Sequence, residues 1–168
     1  MDKIYSTAEF EEDLYRDKEI FDEVQEQMAV LGRCHIAGTL PRVLDLFQSL
    51  LLSYVACASS GTDERGLVQL HESLELVLTV STFLITDACS GETPMIPEDV
   101  LAYCKCDADA EKLVKLVSLV FDFVNLINQA LSTPQGRAVL SPAVCCACVK
   151  FMQNWVFSYL FPSQEIYS

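Results

Sequence analysis

Leu74–Ile85 reads LELVLTVSTFLI. A stretch this apolar leaves no wide polar face, so it has to be covered on more than one side. Its β-branched residues could suggest a strand. The apolar pattern, however, runs on from Glu64 to Thr86, and that length selects a helix. A chain built around such a helix needs other helices to enclose it.

The flanking sequence supplies them. Ile20, Phe21, Val24, Met28 and Leu31 recur at three- and four-residue steps, predicting a helix over 17–31 with Gly32 closing it. Thr39 and Pro41 mark the next start, and Val43, Leu44, Phe47, Leu50, Leu51 and Tyr54 form its inner face to about Cys57. Thr62 or Asp63 caps the Glu64–Thr86 helix. Pro97, followed by Glu98 and Asp99, opens a short helix to Cys104. Asp107 or Asp109 caps a long helix over 110–131, which "STPQG" breaks. Ser141 and Pro142 start the last, running to about Leu160. Phe121, Phe123, Phe151, Trp155 and Phe157 fall in helical register and read as core rather than a ligand cage.

No strand alternation appears, so the fold class is all-α. The helix starts near 17, 63 and 108 are 46 and 45 residues apart, the period of HEAT and armadillo repeats. The expected architecture is a short HEAT-like α-solenoid of about three antiparallel pairs over 17–165, behind an acidic leader at 1–16.

Charge narrows the function classes. The chain has 24 acidic and 11 basic residues, net −13, and a nucleic-acid partner would require a basic face. Ten carboxylates fall within the first 26 residues against three bases. Asp17, Glu19, Asp22, Glu23 and Glu26 form either a solvated helix face or an acidic docking surface for a basic protein. Membrane spans are set aside because the apolar runs carry Arg42 and Asp45, Glu75 and Asp87, and Lys115 and Asp122, whereas a span needs about 20 residues with few charges.

Eight cysteines with no secretory signal before them read as free, buried thiols in a reducing, intracellular compartment. Cys104 and Cys106 form a C-x-C, and Cys145 and Cys148 a C-x-x-C. Neither lies in the paired-knuckle or βαβ context that zinc or thioredoxin chemistry uses. His35 and His71 have no nucleophile at triad spacing, and no Gly-rich phosphate loop occurs. No catalytic, metal or cofactor residue is assigned.

"DACSGETPMIPEDVLAYC", Asp87–Cys104, is the most particular connection. Gly91, Pro94 and Pro97 suit a turn. Glu92 and Thr93 are not needed for one, and Glu92, Thr93, Pro94 and Pro97 together are a candidate contact loop. Gly91–Tyr103, "GETPMIPEDVLAY", preceded by the oily helix, resembles a segment of exportin-4-type nuclear transport receptors of the importin-β superfamily. "MAVLGR" (Met28–Arg33) and "VLSPAV" (Val139–Val144), with Phe151, Trp155, Tyr159 and Leu160 behind it, are similar to that family in the same order. The resemblance implies a segment of a HEAT-repeat receptor that shuttles between nucleus and cytoplasm. Its partners would be protein cargo, some of it basic, with Ran-GTP and nucleoporins. No cargo-contact residue is carried over. The rival expectations are a free-standing helical adaptor and a thiol or zinc enzyme using Cys104, Cys106, Cys145 or Cys148.

Overall fold

The computed structural model describes residues 20, 21, 23–60, 64–87 and 94–161. The chain is helical at 20–21 and over 23–33 (α1), followed by α2 (Ile36–Ser60), α3 (Glu64–Ile85), α4 (Glu98–Tyr103), α5 (Asp107–Leu131), α6 (Pro134–Ala138) and α7 (Pro142–Trp155). A π-turn over Val156–Leu160 ends the described chain, with the Phe161 amide donating to the Val156 carbonyl at 3.0 Å.

Local chemistry sets these boundaries. α2 starts three residues ahead of its expected Thr39 cap because the His35 carbonyl accepts from both the Gly38 and Thr39 amides at 3.0 Å. Pro41 is thereby placed inside the helix, where its missing N–H costs one bond of the ladder. α5 begins at Asp107 behind an extended Cys106, so Asp107 and Asp109 occupy the first turn rather than the cap, where their charge suits the dipole. Pro97 is likewise the cap residue of α4 and not its first helical residue. α6, which periodicity did not predict, is held by the Thr133 hydroxyl accepting from the Gly136 amide at 3.0 Å. At α7 the expected Ser141 cap and Pro142 first position are both present.

α3 is the centre of the packing, with α2 and α7 both lying along it, and α5 lies against α2. Tyr54 near the end of α2 meets His71 near the start of α3, ring centroids 5.8 Å apart, so these two run antiparallel. Phe121 of α5 meets Trp155 of α7 edge-on at 5.1 Å. Phe47 and Tyr54 of α2 both abut Phe123 of α5. α7 lies along α3: Lys150 Nζ sits 4.7 Å over the Phe83 ring, and the Tyr159 hydroxyl donates to the Ile85 carbonyl at 2.7 Å. That last bond satisfies one of the carbonyls that a helix end leaves open. Phe47, Phe123, Phe151, Leu74, Leu78, Leu84 and Leu116 are fully buried in one continuous core.

Two features overturn the HEAT-like solenoid of about three pairs. That reading paired the helices starting near 17 and 41, near 63 and 97, and near 108 and 141. In the structure α3 packs chiefly on α7 and α2, α5 lies against α2 and touches α7 only lightly, and α4, at 6 residues, is too short to be a member. α2 also packs directly on α5, so helices assigned to the first and third pairs touch, whereas stacked repeats contact only their neighbours. In addition, three helices, Ile36–Ala58, Arg65–Ile85 and Asp107–Leu131, are long and apolar enough to cross a membrane, which a short water-borne solenoid does not require. The resemblance to importin-β-superfamily receptors of the exportin-4 type fails on the same ground. It rested on short motifs, one of them partly outside the described residues, and the three apolar helices do not fit a soluble receptor of that kind.

α1 turns its apolar stripe outward. Ile20, Phe21, Val24, Met28 and Leu31 are the exposed residues, Leu31 at 72%, while Gln25, Ala29 and Arg33 face the bundle. Arg33, itself buried, donates from both terminal nitrogens to Asp87 Oδ1 at 3.3 Å and ties α1 to the end of α3.

Candidate functional site

The most extensive unsatisfied feature is apolar surface on the long helices. Only 22% of the apolar stretch of α2 and 33% of that of α5 is buried within the bundle, against 50% for α3. α2 turns Leu44, Phe47 and Tyr54 inward and leaves Leu46, Leu52 and Val55 outside, Leu52 at 74% exposure. α5 leaves Val114 and Leu131 outside. Between the two helices runs an open groove of about 570 Å³ lined by Leu51, Leu52, Val55 and Leu119 among others. A second groove of about 310 Å³, bounded by Tyr54, Val55, Leu126 and Ala130, shares Val55 with it.

Periodicity located the inner faces but not this outer one. The signal that could have found it is the placement of charge. Beyond Asp45, α2 is uncharged to its end, α3 is uncharged from Leu76, and α5 carries only Asp122 beyond Lys115. Each of the three contains an 18-residue window with no more than two charged residues. The exclusion of membrane spans treated any charge within a run as disqualifying, and that reasoning is corrected by these windows.

A smaller, more polar crevice of about 300 Å³ lies between α3 and α7, where Glu75 and Thr79 face Cys146 and Lys150. Three cysteines outside its lining, Cys104, Cys145 and Cys148, are poorly suited to thiolate chemistry. Burial, with Cys145 nearby, pushes the Cys148 thiol up to about 12. Burial followed by the neighbouring Cys146 raises Cys145, and burial followed by the charge of Asp109 raises Cys104. A thiol held protonated is neither a good nucleophile nor a ready metal ligand. Among the described residues no group of three His, Cys, Asp or Glu side chains is placed to hold a metal.

Of the candidate contact loop, Glu92 and Thr93 lie outside the described residues. Pro94 is half-buried and Pro97 buried. The loop is pinched at its base by a backbone pair: the Asp87 amide donates to Met95 O at 2.7 Å, and the Met95 amide to Asp87 O at 3.0 Å. Of the acidic docking surface, Glu23 is exposed and Glu26 half-buried, and Asp17, Glu19 and Asp22 lie outside the described residues. The acidic leader at 1–16 lies outside them as well.

No known family model matches the chain. With three span-length apolar helices in place of a receptor segment, the expected role in nuclear export with cargo and Ran-GTP loses its structural basis. So does a purely nucleocytoplasmic, shuttling location.

Proposed function

We propose that this chain is a membrane-embedded helical bundle that works by association, within the bilayer or at its surface, rather than by bond-making chemistry. The observation that carries the reading is that α2, α3 and α5 combine span length with apolar side chains left outside the core. At 1.5 Å per residue each covers more than about 30 Å, the thickness of a bilayer's hydrocarbon layer. In water, surface of this kind is a liability; in lipid it is the solvent-matched face.

The charges within the spans have different settings. Glu75 is half-buried and lines the crevice that Lys150 also lines. Arg42 lies in the second turn of α2, within reach of the interface by snorkelling, whereas Asp45 is exposed further along and its short side chain has no such reach. Asp122 is exposed near the middle of α5, where a carboxylate facing lipid costs about 2.5–3.5 kcal/mol. That residue favours a second reading: a bundle in water whose α2–α5 face is covered by a protein partner.

Alkaline carbonate extraction of cells expressing the full chain separates the two. Retention of the chain in the membrane pellet supports embedding. Release into the supernatant, or recovery without membranes at all, supports the water-borne bundle.

A further inference from the structure

The end of α3 marks a level in the molecule. Its apolar stretch, Arg65–Ile85, is 21 residues long. At 1.5 Å per residue that is about 31 Å, so in the membrane-embedded reading Ile85 lies where the hydrocarbon layer ends. α7 runs beside α3 in the same direction. Thr79 and Cys146 line one crevice, and further along the Tyr159 hydroxyl donates to the Ile85 carbonyl at 2.7 Å. Amphipathic side chains collect at this level. The Tyr159 ring stacks on Trp155, centroids 6.4 Å apart. Lys150 leaves the crevice that Thr79 lines, and its ammonium lies over the Phe83 ring, about one turn nearer the end of α3. Just beyond Ile85, Arg33 pairs with Asp87. Phe157, Leu160 and Phe161, at the end of the described chain, are exposed, Phe161 at 70%.

We infer that this end of the bundle is seated in the lipid–water interface of a phospholipid leaflet, with Trp155 and Tyr159 as anchors and Phe157, Leu160 and Phe161 entering the upper acyl region. The inference rests on the membrane-embedded reading and adds the level at which one end of the bundle is held. Trp and Tyr concentrate at that depth because each has an apolar ring for the acyl chains and a polar edge for the headgroups. A lysine within reach snorkels toward the same boundary, and Lys150 takes that direction along α3. Anchors of these kinds set how a span sits in the bilayer. A covering protein would require neither aromatics that coincide with the end of a span nor a lysine drawn to that end.

Trp155 is the one tryptophan of the chain, so its fluorescence reports this level without a label. The full chain is placed in nanodiscs of phosphatidylcholine carrying bromine either near the glycerol or near the acyl ends. Trp155 is expected to be quenched at least twofold more by the shallow bromines. Phe161→Trp in a Trp155→Phe background is expected to show the same order from a more exposed position. Leu46→Trp in that background lies at the middle of the apolar stretch of α2 and is exposed. It is expected to show the reverse order, and it tests embedding itself. Deep quenching of Leu46→Trp overturns the inference and leaves embedding standing if Trp155 or Phe161→Trp is unquenched, or is quenched equally or more from depth. Blue-shifted but unquenched emission from Phe161→Trp would identify protein as the cover and also overturn it. Quenching of no position by either lipid overturns both the inference and the embedding on which it rests.

Discussion

Phe123 fastens α5 to α2, and replacing it measures how. Its ring is 1% exposed and meets Phe47 at 6.0 Å and 88°, and Tyr54 at 5.7 Å and 89°. Both are edge-to-face geometries, each contributing about 0.5–1.5 kcal/mol beyond burial. Phe123→Leu keeps the apolar bulk and removes both, so it should cost about 1–3 kcal/mol. Phe123→Ala in a water-borne bundle would cost about 3–5 kcal/mol. Within lipid the transfer contribution to that cost is largely absent, because acyl chains are as apolar as the side chain. The assay is reversible unfolding in mixed micelles followed by circular dichroism, applied to a Phe47→Leu/Phe123→Leu double-mutant cycle. A coupling of about 0.5–1.5 kcal/mol is expected. Additivity within about 0.3 kcal/mol would refute the idea that this ring contact fastens α2 to α5.

Three further outcomes follow from single contacts. A Cβ on Gly136 would collide with the Ala130 backbone carbonyl, whereas one on Gly38 meets only the movable His35 ring. Gly136→Ala should therefore destabilise by about 1–3 kcal/mol, as overpacking does, and Gly38→Ala should be neutral or stabilising by up to about 1 kcal/mol, both read from thermal midpoints. Asp87→Ala leaves the buried Arg33 guanidinium unpaired, and should cost about 1–3 kcal/mol because Asp87 is half exposed; Arg33→Met, which removes the buried charge itself, should cost less. Cys148 is held as a thiol up to about 12 where an ordinary one ionises near 9.0. Its contribution to stability is therefore complete below about pH 9 and is lost as pH rises toward about 12. Cys148→Ala should flatten the alkaline limb of the denaturation profile.

The helical content was legible because each long element repeats apolar residues over many turns, and because Ser141-Pro142 and Gly136 carry chemistry specific to starts and corners. The pairing of the helices was not. α3 is apolar nearly all round, so its pattern does not say which neighbours cover which face; contacts such as Tyr159 on Ile85 and Lys150 over Phe83 place α7 beside it. The orientation of α1 was not legible for the opposite reason. Its stripe is strongly patterned, but a pattern states that a face needs cover, not that this chain supplies it. The outer surfaces of α2 and α5 were passed over because a few charges were weighed by their presence within a run rather than by their position along it.

The most direct measurement is the topology of the bundle in cells. Consensus glycosylation acceptors placed between α2 and α3, and separately between α3 and α4, sample the two ends of α3. If α2, α3 and α5 cross the membrane, one acceptor is modified and the other is not, because successive loops lie on opposite sides. Modification of neither acceptor, with the chain recovered free of membranes, would contradict membrane embedding.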